Sequence, residues 1–316
     1  MKYKSKVLLA KIEVTEDTDP TPVGTDAVLT SNLDANVYQG NRISRNYDSD
    51  ALGASEEINV NPHNILSFDV ELQGSGSAGT APAFSALMEA CGMSETIVPA
   101  TSVTYAPISS SFESITTYFL RLQDDADQML IKTTGMRGNM AIELGRGSFP
   151  MLKFTNMMGT YYTPTQISAI TAVTSDFIAP EAVTKTNTPT VTVDGTASCL
   201  SGFTMDLGNQ ISRVDAPNCR QTILSDRNVT GTITVKAVDL STKNYFGDLE
   251  SDAGVSTVPL VITHGTTAGK IITINLPTAQ LSNLSQVDVD GELGWQFDYI
   301  AVPTSAGNDE FSIVFT

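Results

Sequence analysis

Period-two alternation dominates the chain. Residues 65–72 (ILSFDVEL) place Phe68, Val70 and Leu72 on one face and Ser67, Asp69 and Glu71 on the other, the pattern of a half-buried strand. Residues 230–237 (TGTITVKA) repeat it with Ile233, Val235 and Ala237. Further strands are expected at 260–263, 270–276 (KIITINL), 286–290 and 295–300 (WQFDYI), and residues 311–316 (FSIVFT) alternate again. Asp194-Gly195, Asp290-Gly291 and Gly307-Asn308 punctuate these runs as turns. Helical spacing shows in two short stretches. One is 81–90 (APAFSALMEA), with Thr80 as cap and Gly92 beyond its end; the other is 241–250 (STKNYFGDLE), with Ser241 as cap. The expected class is mainly β (α+β), with a short helix packed on each of two β units.

An echo organises these elements. GNRISR at 40–45 returns as GNQISR at 208–213. Each copy is followed by a polar stretch (46–64 or 214–228), an alternating strand, a short helix and more strands. A short motif followed by the same ordered elements reads as an internal repeat. The division expected is a first unit over 1–160 with an N-terminal arm, a linker over 161–187, and a second unit over 188–316. The linker is rich in Thr, Ala and Ser, with one strand or helical turn near 167–173. Each echo reads as a Gly-Asn turn followed by an inward Ile43 or Ile211. Arg45 and Arg213 beside them suit surface or intersubunit salt bridges. The two polar stretches are long for β connections and suit arms that reach a neighbouring subunit.

Composition narrows the function. The 316 residues hold 18 Lys+Arg against 35 Asp+Glu, a net charge of −17. Through Met158 the count is 11 basic to 19 acidic, and beyond it 7 to 16, so both halves carry the acid. A protein that grips phosphates by counterion release needs a basic face, so gripping nucleic acid is not expected here, and repulsion of it is compatible with the charge. Cys91, Cys199 and Cys219 are odd in number and scattered, which suits buried free thiols rather than a disulfide framework. The opening residues have too short an apolar run for a signal peptide, and no run of about 18 apolar residues exists. A soluble protein made in the cytoplasm, without membrane insertion, is expected.

Candidate chemistry is thin. GSGSAG at 74–79 is a formal G-x-G-x-x-G between a strand and a helix. The helix is too short for a βαβ crossover and no ribose-binding acid follows at the right distance, so it reads as a strand-to-helix turn. His63 and His264 sit apart, and no nucleophile–base pairing is visible. The acidic groups Asp124/Asp125/Asp127 and Asp288/Asp290/Glu292 do not match a calcium loop and suit solvated hairpin tips. No catalytic, cofactor or metal residue is proposed.

Several segments together carry a resemblance. LLAKIEVTEDTDPTP (8–22), VELQGSGSAGTAPAFSALMEACGMSET (70–96), FTMDLGNQISR (203–213), VITHGTTAGKIITI (261–274) and PTSAGNDEFSIVF (303–315) resemble the tail tube, or major tail, proteins of long-tailed bacteriophages. The resemblance covers most of the chain; the stretches 46–64 and 160–190 match least. It implies a β-sandwich or half-barrel with a flanking helix, rings that close a large intersubunit β-barrel, and stacked rings forming a hollow tube for DNA delivery. It implies no catalytic residue and no cofactor. The implied partners are other copies of the chain, the tape measure protein, the tail terminator, distal tail proteins and DNA in transit. Polar strand faces would line the lumen, which points to Asp69 and Glu71, then Glu143 and Asp298. Lys236 on the matching face departs from that pattern. If each echo marks one corner of a tube unit, three chains make a pseudo-sixfold ring. The competing expectations are a ring of six chains whose second half is an external decoration, a β-sandwich adhesion module, and an acidic-pocket enzyme.

Overall fold

Alternation becomes strand nearly everywhere in the computed structural model, which describes residues 4–48, 50, 52–123, 127–250 and 254–316. The acidic tip at Asp124 and Asp125 lies outside the described residues. The first half runs through β1 (Lys6–Ile12), β2 (Ala27–Val28), β3 (Ser31–Ser44), β4 (Glu57–Glu71), α1 (Ser85–Ala90) and β5 (Met93–Val98). It continues through β6 (Ser102–Pro107), β7 (Ile115–Leu122), β8 (Asp127–Gly145), β9 (Met151–Tyr161) and β10 (Thr165–Ser168). The second half begins with β11 (Thr190–Val193), β12 (Thr196–Ala197), β13 (Leu200–Asp206), β14 (Gln210–Ala216), β15 (Cys219–Asp226) and β16 (Thr230–Lys236). It ends with α2 (Tyr245–Leu249), β17 (Val258–His264), β18 (Ile272–Val289), β19 (Glu292–Ala301) and β20 (Ser312–Phe315).

Eight strands pair side by side, all antiparallel, in the order β3-β4-β9-β8-β13-β16-β19-β18. The first four come from the first half of the chain and the last four from the second. Each set of four contains a long strand and its hairpin return, β8–β9 in one and β18–β19 in the other. The early part of β8 also pairs with β7 and β10, and β7 with β1. The early part of β18 likewise pairs with β17 and β20, and β17 with β11. The link between halves is made twice, by β8–β13 and by β20–β6. The sheet does not close on itself within the chain.

One apolar cluster spans both halves, filled by Phe68, Val70, Leu72, Phe154, Ile142, Ile233, Val235 and Phe297 and roofed by Leu87 and Met88 of α1 and Tyr245 of α2. The alternation at 65–72 and 230–237 therefore aims its apolar side where expected. Trp295 is only partly buried and meets Phe246 of α2 edge-on at 5.5 Å.

Several expectations need correction. The helix expected at 81–90 starts at Ser85; Thr80 does not cap it, and single turns (Ser85 N–H to Pro82 O, Leu87 N–H to Phe84 O) precede it. The second helix starts at Tyr245, and its cap is Asn244, whose side chain accepts from the Phe246 N–H at 3.2 Å. The polar stretch 214–228 is largely strand, and 46–64 is strand over its last eight residues. β4 already begins at Glu57, and β14 and β15 form a hairpin with a two-residue connection. Both faces of these strands carry polar groups, so they leave no hydrophobic period to read. The segment 161–187 contributes β10 to β8 and then straps both halves. Val183 is buried and exchanges backbone hydrogen bonds with Gly147 and Ser148. His264 holds the same strap through Glu181 O at 3.1 Å and Thr188 Oγ1 at 2.9 Å. Of the thiols only Cys91 is buried; Cys199 and Cys219 are exposed, one in the connection before β13 and the other at the first position of β15.

The G-x-G-x-x-G stretch is a close crossing of backbones rather than a slack turn. A Cβ on Gly74 would lie 2.0 Å from Gly269 O, and Gly269 itself takes φ +86°. Gly76 N–H donates to that same carbonyl at 3.0 Å.

Phe68 is 1% exposed and stacks on Phe154 at 5.2 Å. Phe68→Ala is expected to cost ~3–5 kcal/mol of unfolding free energy in denaturant titration. Trp295→Ala is expected to cost less, since part of its ring is already in water.

Candidate functional site

The eight-strand sheet buries one face and exposes the other, and the exposed face is polar. Directly opposite residues in antiparallel strands share a face, so register alone traces rows across it. One row reads Ser31, Asp69, Lys153, Ala141, Asp206, Thr230, Ile300 and Gln280. The next reads Glu71, Met151, Glu143, Thr204, Thr232, Asp298 and Ser282. Asp69, Glu71, Glu143 and Asp298, singled out from sequence and carried by three strands (β4, β8 and β19), thus stand in two adjacent rows of one surface. Asp34, opposite Ser67, and Asp206 join them.

Cross-strand hydrogen bonds fix these carboxylates. Asn32 Nδ2 donates to Asp69 at 2.7 Å, Asn139 Nδ2 to Asp206 at 2.8 Å and Asn283 Nδ2 to Asp298 at 3.0 Å. The Thr204 and Thr232 hydroxyls meet at 2.9 Å. Two lysines share the face, and each is tied to a glutamate: Lys153 to Glu143 and Lys236 to Glu292. The hydrogen bond to Glu143 lifts the Lys153 ammonium above its ordinary value, and Glu292 does the same for Lys236. The cations on this face are neutralised by its own acids, which leaves a net negative, hydroxyl- and amide-rich surface.

The echo residues fall in two unlike settings. Gly40 lies within β3, whereas Gly208 turns the chain between β13 and β14 with φ +63°, so the Gly-Asn turn exists only in the second copy. Ile43 is 57% exposed rather than inward, and Ile211 is half-buried opposite Leu224. Arg45 makes an exposed ion pair with Glu56 at 3.0 Å. Arg213 reaches Thr222 Oγ1 at 3.0 Å and Thr160 Oγ1 of β9 at 2.6 Å, which clamps the β14–β15 hairpin onto the first half.

Sequence reasoning missed the anchor beneath that hairpin. Glu13, 3% exposed, accepts from Ser114 Oγ, Thr116 Oγ1, Gly135 N–H and Asp17 N–H, all within 2.6–2.7 Å. Asp17 accepts from Thr134 Oγ1 and from Thr160 Oγ1, the hydroxyl that Arg213 also reaches. Arg137 forms a fork on Glu16 at 3.0 and 3.1 Å and donates to the carbonyls of Phe112, Glu113 and Thr222. The acidic run EVTEDTDP is thus an internal anchor. Its one sequence signal was the density of acids beside Thr and Pro in a segment that already carried the resemblance.

Among the described residues, no group of three or more His, Cys, Asp or Glu side chains is arranged to hold a metal ion. A polar antiparallel sheet with a helix-roofed apolar back has the form of a wall, and a cavity of about 1070 Å³ opens beside the Lys236–Glu292 pair, lined also by Arg146, Asp290, Val191 and Leu200. The sequence matches the phage tail tube protein family over residues 4–307. The chain belongs to that family. As a tail tube protein it is a structural component of a phage tail. Membership implies assembly with further copies and with other tail proteins, in the virion tail. No curated protein matches the chain.

Arg137 is 8% exposed and holds five oxygen atoms from four residues. Arg137→Leu strands buried carbonyls and is expected to cost about 3 kcal/mol. The same variant should speed proteolysis at the 216–219 turn, because the β14–β15 hairpin loses its hold.

Proposed function

We propose that three copies of this chain close their eight-strand sheets into a ring with pseudo-sixfold symmetry, that rings stack into the tail tube, and that the polar face lines the lumen through which double-stranded DNA passes. The observation that carries this reading is the pair of rows crossing strands from both halves of the chain without a break. In it each half supplies four strands in the same pairing order, as two tube units would.

Geometry favours three chains. Strands about 4.8 Å apart and tilted about 40° give a barrel of n strands a backbone diameter of roughly 2n Å. Three chains supply about 24 strands and a diameter near 48 Å, or about 38 Å once a ~5 Å side-chain layer is subtracted from each wall. A duplex roughly 20 Å across then keeps about 9 Å of water on every side, close to the Debye length of ~8 Å at physiological salt. Two chains would leave a bore of only ~22 Å, and six would leave one of ~86 Å.

Charge fits transit. Each fixed cation that neutralises a phosphate releases counterions and adds affinity, which would hold DNA in place. A wall whose lysines are already paired with glutamates offers no such grip, and its surplus carboxylates centre the duplex by repulsion. The tape measure protein occupies the same bore before DNA in this reading, and terminator and distal tail proteins meet the ends of the tube.

Tubes assembled from the purified chain, or tails isolated from virions, should show three chains per ring in cryo-electron microscopy cross-section. Six complete chains per ring would overturn the stoichiometry and make the second half a decoration. Virions carrying Asp69→Lys with Glu71→Lys should assemble and eject DNA several-fold more slowly. Ejection at the normal rate would remove these residues from the lumen.

A further inference from the structure

Two long strand edges of the eight-strand sheet are left open. Among the described residues β3 pairs only with β4, so its other edge is bare over 14 residues. β18 is also open over part of its length. Ala279 pairs with Val258 of β17 and with Ala301 of β19, so β17 and β19 take opposite edges. The β17 pairing ends there, and residues 280–289 keep only β19. Open edges of this length are usually blunted by proline, lysine or a covering element. Residues 280–289 (QLSNLSQVDV) contain neither residue, and β3 (SNLDANVYQGNRIS) contains none either.

The chain has already solved the same problem once. In the first half, β8 carries β7 on one edge up to Met136 and β9 on the other. Past the end of β7, the vacated edge at 141–145 is filled by β13 of the second half, antiparallel, with Glu143 opposite Thr204. The unit β17/β18/β19 repeats β7/β8/β9, and its vacated edge is the bare one at 280–289. The strand that stands to β4 as β13 stands to β16 is β3. Superposing the two pairing schemes through Phe68–Phe154 and Ile233–Phe297 sets Asp34 of β3 in the place of Thr204 and Val287 of β18 in the place of Glu143.

We infer that the partner of the β18 edge is β3 of a second copy of this chain, antiparallel, with Asp34 opposite Val287 on the polar face, so that the seam between chains copies the β8–β13 junction within a chain. This inference rests on the ring reading above. It also gives the β3–β4 hairpin an address. Its counterpart, β14–β15, folds onto the first half of its own chain, with Leu224 buried against Gly92 and Arg213 on Thr160. The β3–β4 hairpin has no such bed and leaves Ile43, Tyr47 and Ile58 each more than half exposed. With β3 on the neighbour's β18, the arm lies over the neighbour's second half and covers them.

Cysteine cross-linking tests the seam. In a Cys199→Ser, Cys219→Ser background, Val287→Cys is combined in turn with Asn32→Cys, Asp34→Cys or Asn36→Cys, all on the polar side of β3. Ala35→Cys, on the apolar side, is the control. Oxidised tubes should give a covalent ladder ending at three chains, strongest with Asp34→Cys and at least ten-fold weaker with Ala35→Cys. A ladder with any of the three polar-side positions supports the seam. Intact three-chain rings with no ladder from any of them overturn it and leave the ring reading standing. Absence of both tubes and ladders removes the ring reading and the seam with it.

Discussion

A strand edge is a row of unpaired N–H and C=O groups, and backbone groups must find partners or water. Most of this architecture follows from where that demand is met. Inside the chain it is met at β8, whose free edge past Met136 accepts β13 and so welds the two halves into one sheet. That junction makes the apolar faces of both halves coplanar, which lets a single core form beneath them. It also carries the polar rows uninterrupted from Asp69 to Gln280.

Around the junction, packing and charge divide the work. The apolar side is held by ring contacts at 5.0–5.9 Å, such as Phe68 on Phe154, Phe203 on Tyr299 and Tyr245 on Phe297. Exposed ion pairs on the polar side contribute little to stability; their role there is to cancel the two lysines. Charge is buried at the Arg227–Glu310 pair and at the anchor, where Glu13 and Asp17 each accept from several donors and Arg137 forks on Glu16. The anchor fixes a hairpin from the other half through Arg137 on Thr222 O and Arg213 on Thr160. The two copies of the echo end up doing different things for the same reason. Arg213 finds Thr160 on its own chain, and Arg45 finds only Glu56 on its own hairpin.

The strands with one buried face were legible because apolar and polar residues alternate, and Phe68, Ile233 and Phe297 point as the pattern demands. The co-facing of Asp69, Glu71, Glu143 and Asp298 followed from the same alternation, although nothing in the sequence placed their strands side by side. The strands at 41–44, 57–64 and 210–226 were hidden because polar residues dominate them, although Asn64, Thr222 and Leu224 are buried. Helix starts were misplaced by several residues: two such short helices are set by packing of Leu87 and Tyr245 more than by caps. The β8–β13 junction was invisible, since pairing between distant strands leaves no local signature. The phage tail tube resemblance supplied the family, and the register supplied the surface.

Covalent fusion of two sheet units has a kinetic side. A ring made from single units must gather six bodies, and its rate of nucleation climbs steeply with subunit concentration. Here the β8–β13 weld forms as the chain folds, at the high effective concentration of an intramolecular contact, so in the proposed three-chain ring three of the six junctions between units are in place before any encounter. In the proposed three-chain ring nucleation involves three bodies, and growth can proceed from a dilute pool. Fusion also frees the two units to drift apart in sequence. Lys153 and Lys236 already sit at different heights along their strands, so the electrical texture of the polar face repeats once per chain while its strand pairing repeats twice.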